Sequence, residues 1–271
     1  MSARVAVVQI PGTNCEAESV RALERVGLSA QVHPWSLPAD RLRDYQAFVL
    51  PGGFAYQDRV RAGALAAKEA SLEVLAEEAA RGKPVLGICN GAQVLVEAGL
   101  VPSEGPVELA LARNRMKHRV GYYARWIHLR VEESPCVFTR SLEPGTVLAM
   151  PVAHGEGRFA SRSPERLAAL LRGGQVPLRY ASADGGLADD FPDNPNGSPH
   201  AIAAVCNRRG NVLALMPHPE RAQDLGGLGR EVGGAWGERY DAWAGSGSPD
   251  ADARGPGLAL FEGLRQYLER A

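Results

Sequence analysis

Cys89 stands in the run Pro84-Val85-Leu86-Gly87-Ile88-Cys89-Asn90-Gly91-Ala92-Gln93, where Gly87-x-Cys89-x-Gly91 is the thiol counterpart of the G-x-S-x-G nucleophile turn. Small flanking residues let the chain reverse tightly between a strand and a helix, lifting the Cys89 sulfur above the strand ends. The following helix points its positive N-terminal end at the sulfur, where it favours an anion. Met216-Pro217-His218-Pro219-Glu220-Arg221 offers a base. Pro219 biases His218 toward extended backbone, and an extended Glu220 would put both side chains on one side. The carboxylate then orients the imidazole and stabilises its cation, as the acid of a triad does. Alone, His-Pro-Glu also fits a surface turn. Leu50-Pro51-Gly52-Gly53-Phe54 supplies the third piece. Paired glycines after a strand free N–H groups for the cleft, so the Gly53 and Asn90 N–H groups are candidate oxyanion donors. The tripeptide alone equally fits a plain turn. It is not a phosphate loop, because G-x-x-x-x-G-K-[ST] is absent.

These three pieces lie far apart in the chain, so the intervening elements must bring them together. Arg4 to Ile10 contains Val5, Ala6, Val7, Val8 and Ile10, a short apolar run suited to a strand buried on both faces, broken by Pro11-Gly12-Thr13-Asn14. Val20, Leu23 and Val26 form a helical stripe closed by Gly27. Ala47 to Leu50 and Val85 to Ile88 repeat the buried-strand pattern. Ala62, Leu65, Ala66, Leu72, Leu75 and Ala79 fall on one helix face ending at Gly82, and another helix spans about Ala92 to Ala98. This alternation predicts an open α/β fold, a parallel sheet with crossover helices.

From Ala124 the pattern turns to shorter β-rich segments, Trp126 to Val131 and Val147 to Val152. Ala201 to Asn207 and Asn211 to Met216 predict a hairpin around Arg208-Arg209-Gly210. Ala183 to Ser198, rich in Gly, Asp, Asn and Pro, predicts a long surface loop. Leu225, Leu228, Val232, Trp236, Tyr240 and Trp243 recur at helical spacing. Gly226, Gly227, Gly229, Gly233, Gly234 and Gly237 interrupt that stripe, each costing about 1 kcal/mol relative to Ala in a helix. A helix there has to be held by packing. A terminal helix carries Leu260, Phe261, Leu264, Tyr267 and Leu268.

With 271 residues, 45% apolar and 23% charged, the chain has an ordinary globular balance and enough length for a sizeable core. A net charge of -1 gives no electrostatic case for nucleic acid or an anionic membrane. There is neither a signal-peptide pattern nor a long apolar span, so the expected location is the cytoplasm. Cys15, Cys89, Cys136 and Cys206 are scattered with no C-x-x-C pair, which argues against a zinc site or a disulfide framework.

P-G-G after one strand, G-x-C-x-G-x-Q after the next and H-P-E near the end together resemble the class I (triad) glutamine amidotransferases. The block from Leu50 continues to Asp58 and Arg61-Ala62-Gly63-Ala64. It is joined by Pro151-Val152-Ala153-His154-Gly155-Glu156-Gly157-Arg158-Phe159 and Asn194-Pro195-Asn196-Gly197-Ser198. These runs are similar to the PurQ family, the glutaminase subunits of phosphoribosylformylglycinamidine synthase in de novo purine synthesis. The likeness covers about Val5 to Arg221 and the terminal helix.

The resemblance implies a flavodoxin-like open, mostly parallel sheet flanked by helices, with an added antiparallel β portion. It implies one amidotransferase domain over residues 1–271, carrying a Gly-rich insertion at about 222–257 that is longer than expected for the family. It implies Cys89 as nucleophile, His218 as general acid/base, Glu220 as its orienter, Gly53 and Asn90 at the oxyanion, and Gln93 supporting the glutamine pocket. His154 and Glu156 are expected at the pocket rim or a partner contact, and Cys15 as structural. Neither a metal nor a cofactor is expected in this chain. ATP and magnesium are used by the partner, a PurL-type synthetase subunit that takes ammonia made from L-glutamine, with a small PurS-type subunit completing the complex. A γ-glutamyl peptidase or PfpI-like hydrolase, and a non-catalytic subunit on the same scaffold, are the alternatives; the purine-specific runs and the intact triad speak against them.

Overall fold

Strands and helices alternate through the first part of the chain: β1 (Arg4–Gln9), α1 (Glu16–Arg25), β2 (Ser29–Pro34), β3 (Ala47–Leu50), α2 (Ala70–Ala80), β4 (Val85–Ile88) and α3 (Asn90–Glu97). β-rich segments follow as β5 (Ala110–Ala112), β6 (Arg115–Met116), β7 (Arg119–Val120), β8 (Tyr123–Val131), β9 (Val147–His154) and β10 (Arg158–Ala160). The chain continues with α4 (Pro164–Arg172), β11 (Leu178–Ala181), β12 (Ile202–Cys206), β13 (Val212–Leu215), α5 (Gly234–Gly245) and α6 (Leu258–Leu268). The computed structural model describes residues 3–103, 107–229, 231–246 and 253–270.

Nine strands form one mixed sheet in the order β2-β1-β3-β4-β13-β12-β11-β8-β9. The first five run parallel. From β13 onward every pairing is antiparallel, so the added β portion extends the same sheet. β3, β4 and β13 are buried at every residue, as expected of strands covered on both faces. In β8 only Ile127, Leu129 and Val131 are buried, the alternation of a strand covered on one face.

The antiparallel half curls. β9 is four strand steps from β13, roughly 19 Å in a flat sheet at 4.8 Å per step. Yet the His218 N–H just beyond β13 donates to Pro151 O of β9 at 2.8 Å. Only a sheet that closes back on itself brings these atoms together, and the closure walls off the space above the carboxyl ends of β3, β4 and β13.

Several sequence expectations change. The stripe from Ala62 to Ala79 is α-helical only in α2, preceded by a single 3-10 turn of helix at Ala66–Lys68. Tyr56, Gln57, Asp58 and Val60 just before it have φ of 52°, 58°, 50° and 72°, left-handed backbone that no regular helix contains. The stripe from Leu225 to Trp243 is likewise not one helix. Leu225, Leu228 and Val232 are buried in irregular chain, α5 begins only at Gly234, and α5 buries no residue fully. Glycine cost explains the first half. The rest is held by packing on the antiparallel strands, with Trp236 Nε1 donating to Val147 O at 2.9 Å. Of the Gly-rich segment 222–257, residues 230 and 247–252 lie outside the described residues. The loop from Ala183 to Ser198 is not simply superficial, because Asn194, Asn196 and Ser198 are buried.

Candidate active site

β4 ends at Ile88, and Cys89 then takes φ 51° and ψ −103° at the start of α3, a strained conformation for a residue with a Cβ. Its N–H donates to Leu215 O at 2.8 Å, which fixes the turn against β13. The flanking glycines are required by contact. A Cβ at Gly87 would stand 2.7 Å from Gly91 O, and one at Gly91 would overlap the Leu50 carbonyl. The turn is therefore pressed against both β3 and α3, and it carries the Cys89 sulfur to 3.7 Å from Ala153 O of β9.

β13 ends one residue before Met216, and His218 Nδ1 meets Glu220 Oε1 at 2.5 Å. Pro219–Arg221 is a short turn rather than extended chain, so the turn makes the pair, and not the strand-like alternation expected from sequence. Both side chains are almost wholly buried, with 4% and 0% exposure. Burial works against a charged imidazole here. The Glu220 carboxylate, followed by the sulfurs of Cys89 and Cys15, outweighs it and holds His218 well above its ordinary pKa. A buried imidazole of raised basicity beside a thiol can take that thiol's proton and later return it.

Gly53 and Asn90 flank the same space. Thr13 and Gly53 face each other in a short antiparallel bridge, whose bonds are Asn14 N to Gly52 O and Phe54 N to Gly12 O. Gly53 is thus a non-bonded position of the bridge, and its N–H points away from the crossing segment. A Cβ at Gly53, where φ is 156°, would overlap Thr13. The Asn90 N–H is among the open N–H groups at the start of α3. The Asn90 side chain does different work: Oδ1 accepts from Ala55 N at 2.9 Å, while Nδ2 donates to Asp58 and Gln93. Gln93 Nε2 in turn donates to Glu156 O at 2.7 Å. The amide of Gln93 is used on both sides, as a brace between α3 and the opposite wall.

That wall is built from the two runs singled out in the sequence. Asn196 Nδ2 donates to Gly157 O and to the Tyr180 hydroxyl, and Phe159 N donates to Ser198 Oγ. His154 is not a rim residue. It is 3% exposed, and Asn114 holds it by accepting at 3.2 Å from Nδ1 and donating to its carbonyl. Burial, then the charge of His218, pushes His154 down to about 3, so it is neutral. Glu156 does lie toward the surface, with Arg113 Nε at 3.5 Å. Cys15 stands inside the site rather than apart from it: Cys15, His218 and Glu220 place ligand atoms within 4.8 Å of one another. Asn114, Asn196 and Tyr180 carried no signal in the sequence beyond, for Asn196, membership of a family run.

Residues 2–267 match the CobB/CobQ-like glutamine amidotransferase domain. Phosphoribosylformylglycinamidine synthase subunit PurQ of Methanothrix thermoacetophila is 41% identical over 273 residues, covering 98% of each chain. The PurQ of Thermomicrobium roseum is 46% identical, covering 85% of this chain and 90% of that protein. A chain in the structure of PurLQS from Thermotoga maritima superposes with a TM-score of 0.71 at 32% identity, covering 99% of this chain and all of that one. The chain belongs to the CobB/CobQ-like glutamine amidotransferase family and, within it, to the PurQ subunits of phosphoribosylformylglycinamidine synthase.

Proposed function

We propose that Cys89, His218 and Glu220 carry out the glutamine hydrolysis of this chain. The chain is a glutaminase subunit of phosphoribosylformylglycinamidine synthase, and its ammonia goes to a PurL-type synthetase subunit. In the first half-reaction the Cys89 thiol gives its proton to His218, and the sulfur attacks the side-chain carbonyl carbon of glutamine. The oxyanion that forms accepts hydrogen bonds from the Gly53 and Asn90 N–H groups. His218 passes the proton to the amide nitrogen, the C–N bond breaks, and ammonia leaves behind a glutamyl thioester. In the second half, His218 takes a proton from water, the hydroxide attacks the thioester, and Cys89 departs to recover that proton. Glutamate is released. Glu220 stabilises the imidazolium in both halves, and Gln93 keeps the pocket wall at its distance from α3.

The observation that supports this assignment is the buried His218–Glu220 pair, 2.5 Å apart, beside a cysteine on a strained strand–helix turn. ATP and magnesium serve the synthetase, which converts formylglycinamide ribonucleotide to formylglycinamidine ribonucleotide. A small PurS-type subunit completes the complex, and the assembly works in the cytoplasm; no helix among the described residues is long and apolar enough to cross a membrane. The chain acts as one amidotransferase domain, and the described residues of the Gly-rich segment, 222–229, 231–246 and 253–257, belong to it. A glutamine affinity label tests the assignment. It is expected to modify Cys89 when the partner subunits and their ligands are present, and an unmodified Cys89 under those conditions refutes it.

A further inference from the structure

His218 has more neighbours than the proposed triad needs. Cys15, fully buried at the start of α1, approaches the same ring. A Cβ placed on Gly52 would lie 2.8 Å from His218 Cε1 and 3.2 Å from Cys15 Sγ, so ring and sulfur share the space above that glycine. The sulfur is fixed by two further contacts, donating to Asn14 Oδ1 at 3.2 Å and accepting from Arg221 Nη2 at 3.0 Å. Arg221 Nε also lies 3.9 Å from Glu220 Oε1, so one guanidinium spans sulfur and carboxylate. The backbone on either side of Cys15 is tied down as well: Asn14 N bonds Gly52 O, and Ser19 N and Oγ both bond Cys15 O.

Thiol, imidazole and carboxylate within 4.8 Å also form the donor set of a soft divalent cation. The guanidinium decides against that role, because a fixed positive charge already takes the outer side of both sulfur and carboxylate. We propose that Cys15 is a positioning residue for His218: its sulfur, clamped by Arg221 and Asn14, packs beside the imidazole and fixes it. This rests on His218 acting as the acid/base of glutamine hydrolysis.

The charges around the ring agree. Glu220 lies in its own segment, Cys89 comes from the end of β4, Cys15 from the start of α1 and His154 from β9. Burial opposes the imidazolium; Glu220, Cys89 and Cys15 favour it, in that order. His154 is neutral and Arg221 points at sulfur and carboxylate, so neither reverses the balance.

The test uses Cys15→Ala and Cys15→Ser in the full chain. The titration midpoint of the His218 Cε1 proton is read by NMR, and the pH profile of glutamine-dependent kcat/KM in the assembled complex. Activity that needs protonated His218 is lost as pH rises through its pKa. Removing a contact that favours the cation therefore moves the midpoint and the alkaline limb to lower pH, by about half a unit or more. Cys15→Ser, which keeps a polar contact, is expected to move less. Should Cys15→Ala not fold, Cys15→Val fills the space without polarity and carries the same expectation. An unmoved midpoint overturns the proposal, and so does equal displacement by Ser and Ala, which would assign the effect to volume. Failure of the glutaminase assignment would look different: Cys89→Ser would keep full glutamine-dependent synthesis.

Discussion

Replacing Glu220 by Gln keeps the shape of the side chain and removes its charge. The oxygen that meets Nδ1 at 2.5 Å is inside the protein, where both side chains are almost wholly buried. Removing one member of a buried pair costs about 3–5 kcal/mol. At about 1.4 kcal/mol per decade, full expression in the transition state gives a loss of about 10²- to 10⁴-fold in kcat/KM. The Gln oxygen can still accept from Nδ1, which favours the lower part of that range. A second signature follows from the order of forces on His218. With the carboxylate gone, burial meets only the weaker pull of the two sulfurs, so the imidazole becomes less basic and the alkaline limb moves to lower pH. The assay is glutamine-dependent synthesis in the complex across the neutral and alkaline range, with ammonium-supported synthesis as the control for folding and docking. A loss below about tenfold, or a large loss with the alkaline limb in place, would refute the role given to Glu220.

Cys89→Ser is expected to abolish glutamine-dependent synthesis while ammonium-supported synthesis survives; loss of both in a folded complex would contradict the division of labour. Gly91→Ala drives a methyl into the Leu50 carbonyl and is expected to lower stability by about 1–3 kcal/mol, read as a fall in Tm. His154 has a folded pKa of about 3 against an ordinary value near 6.5, so its contribution is present above the ordinary value and lost as pH falls from there toward about 3. His154→Gln is therefore expected to flatten the acid arm of Tm against pH. His218 has the opposite sign: its contribution is complete below the ordinary imidazole pKa and lost as pH rises through its raised folded value. Trp236→Phe removes the bond to Val147 O and is expected to cost about 1 kcal/mol of stability without changing affinity for the synthetase. A weaker complex at unchanged stability would instead assign this segment to docking.

The parallel half of the sheet was legible because β1, β3, β4 and β13 are apolar almost throughout, a pattern that only strands covered on both faces require. β2 escaped notice because it is an edge strand, half exposed, whose Ser29, Gln31 and His33 look like loop composition. The left-handed backbone at Tyr56, Gln57, Asp58 and Val60 leaves no compositional mark, since none of them is glycine. Cys89, His218 and Glu220, the proposed triad, stand in short motifs that are visible in the sequence. Asn114 and Asn196 could not be picked out there, because a buried amide resembles a surface one until its partners arrive, here 40 and 39 residues away at His154 and Gly157. Cys15 looks like an ordinary structural cysteine in the sequence for the same reason: its contact with Arg221 spans 206 positions.

The pairing of β4 with β13 has a consequence for biosynthesis. Val85 pairs with Val212, so the strand that leads to Cys89 waits for 127 further residues (212 − 85) before its second neighbour exists. Until then a nascent chain presents Val85–Ile88 as an apolar edge with unpaired backbone groups, open to pairing with another copy. Ribosome-bound chains that stop short of Val212 are expected to recruit holdase chaperones, and chains that include Leu215 to release them. The same residue whose carbonyl fixes the Cys89 turn would then mark the point in synthesis at which the chain ceases to be sticky.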